Sequence, residues 1–96
     1  MKYPILLPNI FNHPFTYQSN IKLKVGDYVL VPFGKSNITG VVWNEFERND
    51  NTFKLKNILK KLDVTPLKKN TINFLNWFAE YNIIPKGMAL KLVLLG

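Results

Sequence analysis

Short apolar runs separated by turn signals fill the first half of the chain, and one helical periodicity dominates the second. Tyr3 to Leu7 reads as a strand, Phe15 to Tyr17 as a second, Tyr28 to Phe33 as a third and Ile38 to Phe46 as a fourth. Asn12-His13-Pro14 is a turn, and Val25-Gly26-Asp27 is another that feeds the third strand. Pro32 cannot donate to a ladder, so it marks an edge or an exit from pairing. Gly34-Lys35-Ser36-Asn37 connects the third and fourth strands as a hairpin loop, with Gly34 leaving room for close backbone approach. Arg48-Asn49-Asp50-Asn51 is a polar loop tip.

Phe53 to Leu62 supports two readings. Leu55, Ile58, Leu59 and Leu62 fall at helical spacing, whereas a strand would place Leu55 and Leu59 on one face with Asn57 and Lys61. Asn70 to Tyr81 is the clearest helix. Phe74, Trp77, Phe78 and Tyr81 stand at i, i+3, i+4 and i+7, and this aromatic stripe is predicted to be core. Asn70 is the predicted N-cap, because a start at Thr65 would set Lys68 and Lys69 against the macrodipole. Asn82 and Pro85 end the helix. Met88 to Leu95 reads as a short apolar helix or strand whose composition suits a surface covered by more chain. The predicted fold is mainly β (α+β): a small curled antiparallel sheet or partly open barrel with one C-terminal helix packed on it.

The 96 residues make one domain, 1–96, and 47% hydrophobic residues suffice for one modest core. With no cysteine there is no disulfide, thiol nucleophile or thiolate metal site, and the single His13 cannot build a metal cluster. The apolar run at the N-terminus is too short and too broken for a signal peptide or membrane span, so a cytoplasmic protein without a membrane partner is expected. The formal charge of +7 favours a polyanionic partner over a merely solvated surface. Lysine dominates and Arg48 is the single arginine, which suits phosphate contacts better than bidentate base reading. Gly34-Lys35-Ser36 resembles the end of a phosphate-binding P-loop, but the glycine required five positions earlier is Val29. The six acids are scattered beside turns. No catalytic constellation and no cofactor site can be assembled, so no enzyme is expected in this chain.

Four short matches in order carry a family resemblance. They are Tyr3-Pro4-Ile5-Leu6-Leu7-Pro8; Pro14-Phe15-Thr16-Tyr17; Val25-Gly26-Asp27 through Val31-Pro32-Phe33-Gly34-Lys35; and Trp77-Phe78-Ala79-Glu80-Tyr81, followed by Pro85-Lys86-Gly87. Together they resemble the N-terminal DNA-binding domain of the PriA replication-restart helicases. The resemblance implies a strand for Phe53 to Leu62. It also implies a pocket for the 3′-terminal nucleotide of a DNA strand, made by Phe15, Thr16 and Tyr17, by Gly34 with Lys35 beside it, and by Lys56. Gly34 would admit the terminal sugar, Lys56 would meet the last phosphate or the hydroxyl, and an aromatic wall would support a base of any identity. The family has an aspartate where this chain has Thr16, so an acceptor-only group becomes one that also donates, and base preference is open. The implied partners are the 3′ end at a replication fork, helicase domains downstream in the same protein, and other primosome proteins. Two other classes stay open: a general single-stranded DNA- or RNA-binding β-barrel with no preference for ends, and a protein-interaction module.

Overall fold

The computed structural model describes residues 1–9, 11–46 and 55–95. Five strands, β1 (Lys2–Leu6), β2 (Phe15–Gln18), β3 (Tyr28–Phe33), β4 (Ser36–Val42) and β5 (Lys60–Lys61), precede two helices, α1 (Lys69–Asn82) and α2 (Lys86–Leu95). The sheet order is β2-β1-β4-β3-β5, and every pairing between these strands is antiparallel. The outer strands do not end as free edges. The segment 56–62, which contains β5, reaches from β3 to β2: the Lys56 carbonyl accepts from Gln18 N–H and Ile58 N–H donates to the Gln18 carbonyl on β2, while Leu59 and Leu62 N–H donate to the carbonyls of Leu30 and Tyr28 on β3. One segment serves both edges, and the sheet curls into a partly closed barrel.

The period-2 alternation of the strands sorts the core into two clusters. Ile5, Leu7, Tyr17, Leu23, Val29, Val31 and Val42 pack inside the curl. Leu6, Val41 and Trp43 face the opposite way, against Ile72, Leu75 and Ala79 of α1 and Ala89 and Leu90 of α2. Gly26, at φ +98°, is the turn glycine before β3, and a Cβ there would lie 2.2 Å from the Leu67 carbonyl oxygen. That carbonyl belongs to the residue whose N–H donates to Gly26, so the turn and the approach to α1 are locked together.

The mainly β architecture follows the hydrophobic pattern; the bounds of the fourth strand and the N-cap of the first helix are corrected, and two open readings are decided. β4 begins at Ser36 and stops at Val42, so the hairpin loop is the two-residue turn Gly34-Lys35. The segment Phe53 to Leu62 is extended where it is described, from residue 55, with only Lys60–Lys61 as regular strand; Phe53 and the loop tip 48–51 lie outside the described residues. Met88 to Leu95 is helical, which makes a second C-terminal helix. The N-cap of α1 is Lys68, in extended backbone and without a side-chain cap, and not Asn70. Its start is set by Leu67, whose N–H is held by Gly26 and whose side chain packs against the core, and that tertiary anchor overrides capping preference.

The largest correction concerns the face of α1. Ile72, Leu75 and Ala79 are buried, while Phe74, Trp77 and Tyr81 are exposed and Phe78 is half-buried. Trp43 explains the choice. The sheet supplies this buried indole, whose Nε1–H donates to Asn76 Oδ1 at 3.0 Å. The helix offers small and aliphatic residues at the contact, and Phe74, Trp77 and Tyr81 turn outward while Phe78 packs partly against the core.

Candidate functional site

Phe15 and Tyr17 share the inner face of β2 by alternation, and Thr16 falls on the other. Tyr17 is buried, and its hydroxyl donates to the Pro32 carbonyl at 2.7 Å. Burial raises its phenol above the ordinary pKa of 10.0. The hydroxyl is thus committed to the scaffold: it ties β2 to the end of β3, just before the β3–β4 hairpin tip. Phe15 is half-buried and meets Phe33 edge-on at 5.3 Å, next to Gly34. Two contacts therefore fix β2 against the hairpin end.

Gly34 and Lys35 form the tip. Gly34 has φ +60°, no non-glycine residue at the tip has positive φ, and a Cβ on Gly34 would meet nothing within 4 Å. A glycine with positive φ at the first central position is the pattern of a II′ hairpin turn. The tip is exposed and leaves open space above its backbone. Lys56 is exposed, and its carbonyl accepts from Gln18 N–H at 3.1 Å, so it stands against β2 beside the Phe15-Thr16-Tyr17 segment. Thr16 is half-buried opposite Pro4 of β1. Phe15 and Tyr17 contact Phe33 and Pro32, the residues just before the Gly34 tip; Lys56 is joined to them through the β2 backbone, and Lys35 lies in the turn itself.

Three residues that sequence reasoning left out complete the neighbourhood. Phe11 lies edge-on to Phe15 at 5.2 Å and to Phe33 at 6.1 Å, and His13 lies over Phe15 at 4.9 Å. With Phe33 they make a four-ring cluster at the hairpin end of the barrel. Phe11, His13 and Phe15 alternate along the chain, a period-2 signal in the sequence that ends where β2 begins. Among the described residues no group of three or more His, Cys, Asp or Glu side chains could hold a metal ion, and no helix is long and apolar enough to cross a membrane.

A separate cavity of about 400 Å³ opens where α1 meets α2, lined by Asn12, Ala79, Glu80, Ile83, Ile84, Pro85 and Lys86. None of the six expected site residues lines it. Its Lys86 amine is paired with Glu45, and its Lys86 N–H donates to Asn12 Oδ1. It is a joint between helices and loop.

Residues 4–95 match the family model described as 3′DNA-binding domain (3′BD). The chain is also similar to proteins named Replication restart protein PriA: 34% identical over 94 residues to that of Rickettsia felis, 31% over 93 residues to that of Rickettsia conorii, and 32% over 96 residues to that of Rickettsia typhi. Each comparison covers 94% of this chain and 14% of the relative, so the chain spans about one seventh of the curated relatives it matches.

Proposed function

The chain belongs to the 3′DNA-binding domain family of PriA, and from that premise we propose that it binds the 3′-terminal nucleotide of a DNA strand and so places a replication-restart helicase on abandoned forks. The stretch matched, residues 4–95, acts as a DNA-binding module. Its partners would be the 3′ end of a nascent strand, helicase domains of the same protein and other primosome proteins, all in the cytoplasm, and it would need no cofactor.

The observation that carries this reading is the hairpin tip. Tyr17 Oη–H to the Pro32 carbonyl and Phe15 against Phe33 hold β2 at the tip, and above Gly34 there is open space. A terminal sugar can approach a backbone there while an aromatic wall stands to one side. Lys56, exposed on the neighbouring segment, adds charge for the last phosphate. Thr16 replaces the family carboxylate, and binding with weak base preference is the expected result.

The test is a fluorescence titration with one oligonucleotide carrying either a free 3′-hydroxyl or a 3′-phosphate, competed by a circular single strand. The hydroxyl form should bind more tightly, because added bulk and charge oppose entry into a small site, and the circle should compete poorly. Equal affinity for all three would support a general single-strand binder in place of an end-binder.

A further inference from the structure

We propose that Phe11 is a base-stacking residue of this site: its outer face forms the open part of the wall against which the 3′-terminal base lies. This rests on the end-binding reading and extends it to a residue on neither β2, the hairpin tip nor the segment bearing Lys56.

Phe11 is 38% exposed, although it touches both rings, Phe15 and Phe33, that flank the tip. It also meets the His13 ring at 5.8 Å, and the exposed part of the ring is open to solvent. An exposed phenylalanine outside regular structure would ordinarily lose its position to conformational entropy. Here the backbone is pinned from both sides. Phe11 N–H donates to Asn9 Oδ1 at 3.1 Å, and its carbonyl accepts Gly87 N–H from the first turn of α2 at 3.0 Å. The next residue, Asn12, accepts Lys86 N–H at 2.9 Å. Gly87 is required for this fit, since a Cβ there would lie 2.3, 2.6 and 2.9 Å from the carbonyl oxygens of Asn9, Leu7 and Phe11. A ring on a backbone held this firmly, packed on its neighbours and still partly exposed, is preorganised to receive a flat apolar partner. Among flat partners a nucleobase suits a cluster set beside an open hairpin tip on a chain of charge +7.

The test uses this chain and a single-stranded oligonucleotide bearing 2-aminopurine at its 3′ terminus. Phe11→Leu keeps an apolar side chain and removes the π-face; Phe11→Tyr keeps the ring. Binding to the original protein should quench the 2-aminopurine. Phe11→Leu should lose most of that quench and weaken binding about fivefold or more, with melting little changed, while Phe11→Tyr should keep both. If the original protein prefers free 3′ ends and Phe11→Leu binds and quenches equally, Phe11 is only a cover for the Phe15–Phe33 pair and the inference is overturned. If the original protein shows no preference for free ends, the end-binding reading fails first, and the two failures are distinguishable. A Phe11→Leu protein that melts early is replaced in the assay by Phe11→Met, which fills the same volume without a ring and must show the same loss.

Discussion

Two aromatic assemblies stand on this small domain, and they are built on opposite principles. At the hairpin end of the barrel, Phe11, His13, Phe15 and Phe33 meet edge-on or tilted, and the four rings come from two separate parts of the chain, residues 11–15 and the end of β3. On α1, Phe74 stacks on Phe78 and Trp77 on Tyr81, with interplanar angles of 29° and 21°. Those contacts are all i, i+3 or i+4 within one helix, and Trp77 and Tyr81 are 55% and 73% exposed. The first assembly joins elements distant in sequence, so it carries fold stability and stands beside the candidate site. The second is local, and of its rings only Phe78 packs against the core. Residue type and hydrophobic spacing do not separate the two, because both are apolar and periodic. What separates them is which neighbouring element supplies the bulk in the core.

That difference sets the largest expected effect. Phe15→Ala removes a half-buried ring shared by the barrel core and the cluster, and should cost about 2–3 kcal/mol, below the cost of emptying a fully buried phenylalanine site. Trp77→Ala removes a larger side chain but should change stability by only about 0.5 kcal/mol, as exposed substitutions do. Urea unfolding of the two variants side by side decides the matter. A Trp77→Ala loss equal to that of Phe15→Ala would mean that the ridge on α1 is part of the fold.

A smaller effect lies at the end of the ridge. Ile83 closes α1 in left-handed backbone, φ 55° and ψ 47°, with its N–H and that of Ile84 on the last carbonyls of the helix, and it is 91% exposed. A β-branched residue in that conformation is strained, and its side chain gains almost no burial in return. Ile83→Gly should therefore stabilise the domain by about 1 kcal/mol, raising Tm by roughly 4–8 °C for a chain of this size. A fall in Tm would show that the isoleucine packs against something that offsets its strain.

Much of the fold is legible because alternation is a side-chain signal. Ile5 and Leu7 against Leu6, and Val42 against Val41, mark the two faces of the sheet through residue order alone. The segment 55–62 is not legible in that way. Its role is to lend backbone groups to two edges at once, and Leu55, Ile58, Leu59 and Leu62 show helical spacing while the chain runs extended. The face of α1 is misread because Trp43, 33 residues earlier than its partner Asn76, fills the space that the helix aromatics would have taken. At the candidate site, the family resemblance picks out Phe15, Thr16, Tyr17, Gly34, Lys35 and Lys56. Phe11 escapes it because its fixed position depends on Gly87, whose contact with residue 11 no local pattern records.

The finest test asks what Tyr17 does within the first assembly. Its hydroxyl is turned to the Pro32 carbonyl, and the phenol is held above its ordinary pKa by burial. Tyr17→Phe keeps the ring and removes one hydrogen bond, so it should cost about 1 kcal/mol at neutral pH. The pH dependence gives a second reading. A phenol with a raised folded-state pKa binds more protons in the folded than in the unfolded protein above pH 10, so its contribution is present in full below that pH and declines as pH climbs toward the folded value. The difference between the two proteins is the quantity to follow. Melting measured from pH 8 to 11 should show the original protein losing its advantage over Tyr17→Phe as the pH passes 10. If the gap between them stays constant, ionisation of Tyr17 is not what loosens β2 from the hairpin end, and the fastening of the site rests on the Phe15–Phe33 contact instead.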